Sequence, residues 1–176
     1  FMPFYPGAGV GGHCIPVDPF YLSWKAKEHD FYVNFIQLAA EINDNMPYHT
    51  VSRIRDTLAE HNHPLNNANL LVLGATFKKN IKDSRNSPAV RVMELLAQKG
   101  AHLSYSDDNL PSLRVGEKDL KSIGITPTLL AQFDAVLILV DHDYYPLESI
   151  AKSARLLIDV TGKTRYLKTH PNVVTL

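Results

Sequence analysis

From Leu70 onward the chain repeats one pattern, a short apolar run, a polar turn, then a segment with helical apolar spacing. Residues 70–73 are apolar and end at Gly74. Residues 88–100 put Ala89, Val92, Met93 and Leu96 on one helical face, with Gly100 as the stop. Residues 101–105 read as a second strand, 128–132 as a short helix, and 135–140 as a buried strand. A helix over 146–153, a strand over 156–160 and an edge strand over 172–176 complete the series. Strands alternating with helices imply parallel βαβ units. The expected fold class is therefore α/β, a Rossmann-like open parallel sheet. Ligands of such sheets sit beyond the C-terminal ends of the strands.

The first third of the chain reads differently. Four glycines and two prolines between 7 and 19 exclude a regular helix there. Asp18-Pro19 has the form of an N-cap followed by proline at the first helical position, opening a helix to about residue 28. A second helix is expected over 34–45, with Phe35, Leu38, Ala39 and Ile42 on one face. Pro47 is expected to break or kink it, and Val51, Ile54 and Leu58 carry the helical pattern on to 61. The polar, proline-bearing stretch 62–69 marks a boundary, dividing the chain into 1–65, helical, and 66–176, the α/β domain. The start at Phe1 is apolar, aromatic and not methionine, and reads as continuing from something upstream, a piece of a longer protein.

Composition removes several classes of function. With 18 basic and 18 acidic side chains among 176 residues the net charge is zero, and no nucleic-acid partner is expected. A single cysteine makes no internal disulfide, and with no signal-like start the expected compartment is the cytoplasm. The longest apolar runs, such as 135–140, fall far short of the ~20 residues of a membrane helix. The histidines, including the His61/His63 pair and His142 between Asp141 and Asp143, lack zinc-ligand spacing, and no metal is expected.

Three stretches carry candidate chemistry. Gly7-Ala8-Gly9-Val10-Gly11-Gly12 satisfies G-x-G-x-x-G, but Pro3 and Pro6 precede it and Cys14-Ile15-Pro16 follows. A dinucleotide fingerprint needs a strand before and a helix after, so that reading is rejected. The same glycines can bring backbone amides close to a ligand and support a thiolate at Cys14. The competing reading is an inert, buried cysteine. Asp18, four residues on, is either its helper or a plain helix cap. The second stretch, 77–85, sets Lys78, Lys79, Lys82 and Arg85 against Asp83 just past the first strand, a phosphate-binding position or a solvated loop. The third, 159–165, contains Gly162-Lys163-Thr164 without P-loop spacing, and offers further phosphate donors or an ordinary charged turn.

The run Pro6-Gly7-Ala8-Gly9-Val10-Gly11-Gly12-His13-Cys14-Ile15-Pro16-Val17-Asp18-Pro19 resembles the active-site loop of UDP-glucose/GDP-mannose dehydrogenases. Phe77-Lys78-Lys79 and Asp83-Ser84-Arg85-Asn86-Ser87-Pro88-Ala89 resemble the family's second signature. The resemblance implies an NAD-dependent enzyme that oxidises the C6 alcohol of a nucleotide sugar to a uronic acid, in surface polysaccharide synthesis. It implies two hydride transfers, with a cysteine holding the aldehyde as a thiohemiacetal and then a thioester. Cys14 would be the nucleophile, and Asp18 would orient or activate water. Gly11 and Tyr5 would hold the sugar, Phe77 and Lys78 the uridine diphosphate, and Arg165 a further part of the substrate. Arg85 would reach NAD, whose main site, with the family's catalytic lysine and asparagine, would lie in an N-terminal domain upstream. Residues 1–65 would then belong to the central domain, whose helices form a homodimer or higher homo-oligomer, and 66–176 would bind the UDP-sugar.

Within the family, Val17 stands where UDP-glucose dehydrogenases typically carry lysine, and His13 precedes the cysteine. Gly-Gly-His-Cys-Ile-Pro-Val-Asp-Pro resembles the branch acting on UDP-N-acetylhexosamines, UDP-N-acetylglucosamine 6-dehydrogenases first. A UDP-glucose or GDP-mannose enzyme, and a nucleotide-sugar-binding module without activity of its own, remain alternatives.

Overall fold

The structure, a computed structural model, describes residues 5–167 and 169–176. The apolar start at 1–4 lies outside the described residues. Two helices, α1 (Asp18–Lys27) and α2 (Asn34–Glu60), come first. The α/β part follows as β1 (Asn69–Leu73), α3 (Pro88–Gln98) and β2 (His102–Ser106). Next come a hairpin of β3 (Ser112–Val115) and β4 (Lys118–Lys121), α4 (Pro127–Leu130) and β5 (Ala135–Ile138). Finally come α5 (Leu147–Ser153), β6 (Leu157–Asp159) and β7 (Val173–Thr175).

Five strands form one sheet in the order β2-β1-β5-β6-β7, every pair parallel. This is the α/β architecture expected from the sequence, with β7 on an edge. Successive side chains of a strand point to opposite faces, so an unbroken apolar strand can feed two cores. Leu70 and Val72 of β1, with Leu137 of β5 and Ile158 of β6, face a core containing Ile54 and Leu58 of α2 and Val92, Met93 and Leu96 of α3. Leu71 and Leu73, with Val136, Ile138 and Leu157, face a second core containing Leu130 of α4 and Ile150 and Ala151 of α5. The sheet is thus the middle of three layers.

The local signals explain most boundaries. Ser87 is extended and its hydroxyl accepts from the Val90 N–H, Pro88 opens α3, and Gly100 follows at φ 88°. At α1 the capping expectation fails. Asp18 is already helical, Val17 takes the N-cap position, and no side chain caps the helix. The reason is the turn before it, where the Val17 and Asp18 N–H groups both donate to the Cys14 carbonyl. Pro47 does not end the second helix either. α2 runs unbroken through it, losing the N–H that would serve the Asn43 carbonyl. The turns beyond carry Thr50, Val51, Ile54, Thr57 and Leu58 into the core, and that burial keeps the helix going. The hairpin was not anticipated. Its signal, Leu113, Val115 and Leu120 alternating about Gly116, is diluted by charged neighbours.

The two ends of α2 make opposite predictions. Leu58 is fully buried, and Leu58→Ala should lower stability by about 2–5 kcal/mol in urea unfolding of this chain. Phe35, 85% exposed on the same helix, should change the stability of the monomeric chain by less than about 0.5 kcal/mol on replacement by alanine.

Candidate active site

The carboxyl ends of β1 and β5 open onto a cleft of about 450 Å³. These two strands flank the switch point, because β2 lies on one side of β1 and β5 on the other. Thr76 and Phe77 line the cleft from the end of β1, and Leu139, Val140 and Asp141 from the end of β5. Thr161, Gly162, Lys163 and Arg165 enter from the turn after β6, and Pro88 and Ala89 from the start of α3. Tyr5 and the 6–9 segment close the remaining side.

Two buried carboxylates shape these walls. Asp159, at the end of β6, accepts from the Thr161 N–H (2.8 Å) and hydroxyl (2.7 Å) on one oxygen. Its other oxygen accepts from the Thr164 N–H (2.6 Å) and hydroxyl (2.8 Å), closing the turn that presents Lys163 and Arg165. Asp107, just past β2, does the same between strands. One of its oxygens accepts from the Asn109 N–H (2.9 Å) and the Tyr144 hydroxyl (3.2 Å). The other accepts from the Ala75 N–H (2.8 Å), the Thr76 N–H (3.3 Å) and the His142 ring (3.1 Å). Burial works against the Asp107 carboxylate, but the hydrogen bonds from His142, Ala75 and Asn109 outweigh it and hold its carboxyl below the usual range.

The glycine loop is fastened to both halves of the chain. Asn43 of α2 grips Val10 at two points, its carbonyl oxygen accepting the Val10 N–H (2.7 Å) and its amide donating to the Val10 carbonyl (2.9 Å). On the other side a Cβ at Gly11 would overlap the Asn86 carbonyl and the Pro88 ring, and one at Gly12 would meet the Phe77 ring at 2.8 Å. Gly12 also has φ 91°, a conformation that side chains disfavour. The Asn86 amide donates to the Gly12 carbonyl (3.1 Å). Two residues later Cys14 is exposed, its sulfur 3.2 Å from Nδ1 of His13. The His13 ring meets Phe77 edge-on, with centroids 6.4 Å apart.

Of the residues singled out from the sequence, Tyr5, Phe77 and Arg165 line the cleft. Gly11 is packed beside Phe77, and Asp18 is joined to Cys14 through its N–H and the Cys14 carbonyl (2.8 Å). Lys78 is exposed outside the cleft lining. Arg85 is also exposed and is bound to Asp83 (2.7 Å), whose carboxyl its guanidinium pulls down to about 2. Lys79 pairs with Asp143 at 3.0 Å. Among the described residues, the cations that line the cleft are Lys163 and Arg165 rather than the run at 78–85. Sequence reasoning missed Asn43, Asp107 and the polar contacts of His142, and gave no role to Asn86 and Asp159 inside the stretches it singled out. The usable signal was position, since Asp107, His142 and Asp159 fall at the ends of three expected strands.

Comparison with known proteins agrees with this geometry. Residues 71–165 match the UDP-binding domain, and 1–45 the central domain, of the UDP-glucose/GDP-mannose dehydrogenase family. The chain is 34% identical over 140 residues to the UDP-N-acetyl-D-mannosamine dehydrogenase of Methanococcus vannielii, covering 80% of this chain and 30% of the relative. It is 30% identical over 169 residues to the UDP-N-acetyl-D-glucosamine 6-dehydrogenase of Pseudomonas aeruginosa, covering 91% of this chain and 39% of the relative. A solved structure, the UDP-D-ManNAc dehydrogenase from Pyrococcus horikoshii, superimposes with a TM-score of 0.73 at 28% identity, over 92% of this chain and 37% of that one. The chain thus spans between 30% and 39% of the length of these two curated relatives.

Two predictions follow from the packing and the charges. Gly11→Ala should force the loop away from Asn86 and Pro88 and cost about 1–3 kcal/mol in denaturant unfolding, as overpacking does. The depressed carboxyl of Asp107 contributes stability that is complete above the ordinary carboxylate value of about 4 and is lost as the pH falls through the folded value. The urea midpoint should therefore decline below about pH 4. Asp107→Asn places an amide against groups that all donate, so it should cost about 1–3 kcal/mol at pH 7 and make the acid decline shallower.

Proposed function

Because this chain belongs to the UDP-glucose/GDP-mannose dehydrogenase family, we propose that it is the C-terminal part of an NAD-dependent nucleotide-sugar 6-dehydrogenase. Its substrate in this reading is a UDP-N-acetylhexosamine, oxidised at C6 to the uronic acid. The observation that carries the proposal is a cleft and a cysteine loop meeting across one ring. Phe77 lines the switch-point cleft and packs on Gly12, two residues before Cys14. The substrate class is supported by the UDP-N-acetyl-D-mannosamine and UDP-N-acetyl-D-glucosamine dehydrogenases among the relatives.

The cleft takes the uridine diphosphate, with Phe77 against it, Lys78 at its rim and Arg165 as a further cation. The sugar extends past Gly11 and Tyr5 toward Cys14. The Cys14 thiolate adds to the C6 aldehyde, and the thiohemiacetal keeps that intermediate from escaping. After the second oxidation the acyl group rests on sulfur as a thioester. Water, oriented by Asp18, attacks the acyl carbon, and the products are the carboxylate and the free thiol. NAD would supply the hydride acceptor, one molecule for each of the two oxidations. The glycines at 7–12 do not fit it, since they lead into the turn at 14–18 rather than a helix N-terminus. NAD is therefore assigned to a domain preceding this chain, and Arg85 to a contact with it from its exposed loop. The proposal takes 1–65 as part of the central domain and 66–176 as the nucleotide-binding domain. The exposed aromatic and aliphatic residues of α1 and α2, among them Trp24, Phe35 and Ile42, are then the surface of a homo-oligomer.

The limited coverage of relatives favours one further reading, a nucleotide-sugar-binding module that turns nothing over by itself. Assaying NAD reduction with UDP-N-acetylhexosamines on the full natural polypeptide separates the two, since turnover supports the dehydrogenase and binding without turnover supports the module.

In that full polypeptide Cys14→Ser should keep its affinity for UDP and lose uronate formation by a factor on the order of 10³ or more. Uronate made at the normal rate by the variant would sink the nucleophile assignment.

A further inference from the structure

His142 is buried, belongs to none of the cleft walls, and has no part in the chemistry proposed above. Its hydrogen bonds nonetheless determine its protonation pattern. The backbone N–H of Asn80 points at Nδ1 (2.8 Å) and can only donate, so Nδ1 accepts. The side-chain amide of Asn109 lies 3.3 Å from the same nitrogen. The ring proton of the neutral imidazole is then on Nε2, directed at Asp107 (3.1 Å) and near the Thr76 hydroxyl (3.2 Å). That hydroxyl is itself a donor to the Lys78 carbonyl (2.8 Å).

The ring therefore bridges the end of β2 to the loop after β1. The loop it holds is the one that carries Phe77 into the cleft and Lys78 beside it. Asn80 has φ 60°, a strained choice for a residue with a side chain, and it is held there from two directions. His142 takes its backbone, and the neighbouring Asp143 takes its side chain (2.5 Å) and in turn donates its own N–H to it (3.1 Å). A second backbone tie, the Phe77 N–H to the Asp83 carbonyl (3.0 Å), closes the loop into a narrow turn.

We infer that His142 is a positioning residue for nucleotide binding, with its Nδ1 fixing the Asn80 turn and thereby the placement of Phe77 and Lys78. Asp107 acts on the same turn indirectly, by holding the proton on the far nitrogen. The inference rests on the reading of the cleft as a UDP site. It differs from that reading in assigning affinity to a side chain that never touches the ligand.

Two variants separate the two nitrogens. In His142→Asn the side-chain oxygen replaces Nδ1 and can still accept from Asn80, while the bond to Asp107 is lost. In His142→Gln the longer amide can donate to Asp107, while nothing remains to accept from Asn80. UDP binding is measured by calorimetry on the full natural polypeptide, with thermal unfolding of each variant alongside. Both variants should be less stable than the wild type. His142→Gln should weaken UDP binding about tenfold, and His142→Asn by no more than about twofold. Unchanged affinity in His142→Gln, or equal weakening in both variants, would overturn the inference and leave a purely structural histidine. Failure of the wild-type protein to bind UDP would overturn the nucleotide reading itself and this inference with it, an outcome distinct from the others.

Discussion

The contact between the glycine loop and the segments beyond the carboxyl end of β1 exists because two side chains are missing. Gly11 lies against the Asn86 carbonyl and Pro88, and Gly12 against the face of Phe77, at separations that a Cβ would not allow. That approach places the exposed thiol of Cys14 within a few residues of a ring that also forms the cleft wall. It also gives the loop a firm backing without secondary structure of its own. With Asn43 holding Val10 from the other side, the loop is clamped between a helix and a strand end. Successive prolines and glycines would otherwise leave such a segment with many accessible conformations.

Charge in this molecule is organised by pairing rather than by accumulation. Lys79 is engaged by Asp143, Arg85 by Asp83 and Lys163 by Asp141, so three of the cations around the cleft rest on carboxylates. Exposed pairs of this kind add little stability. Their effect is geometric, because each one fixes where a long cationic side chain rests when no anion is present. The carboxylates that matter for folding are the buried ones. Asp107 and Asp159 sit at strand ends where backbone N–H groups turn away from the sheet and need acceptors. Each carboxylate serves several donors at once, more than a neutral side chain of that size could.

The sheet was legible in the sequence because parallel strands buried on both faces leave unbroken apolar runs, and 70–73, 135–140 and 156–158 are such runs. The helix over 88–100 was legible through the spacing of Ala89, Val92, Met93 and Leu96 and through Gly100 at its end. Pro47 misled, since local propensity argues for a break while the burial of Val51, Ile54 and Leu58 argues for continuity, and burial prevailed. The cysteine loop was legible from its residues and from a family resemblance, and the cleft's place at the strand ends from topology alone. What joins them was not legible. Asn43 and Asn86 look like ordinary polar residues, and nothing in their spacing says that each will bond a glycine-loop backbone. His142 was weighed only against the spacing of metal ligands, a test blind to a ring that bridges two backbones.

The uninterrupted α2 has a mechanical meaning. At 27 residues it is about 40 Å long, and its two working points lie on the same rod. Asn43 grips the cysteine loop, and two to four turns further along Val51, Ile54 and Leu58 are bedded in the core under the sheet. One continuous helix thus connects the loop that carries the thiol to the core beneath the cleft, with Pro47 lying between the two points. In the reading proposed above, a sugar nucleotide would reach from the cations of the cleft to the thiol across parts that this one helix joins.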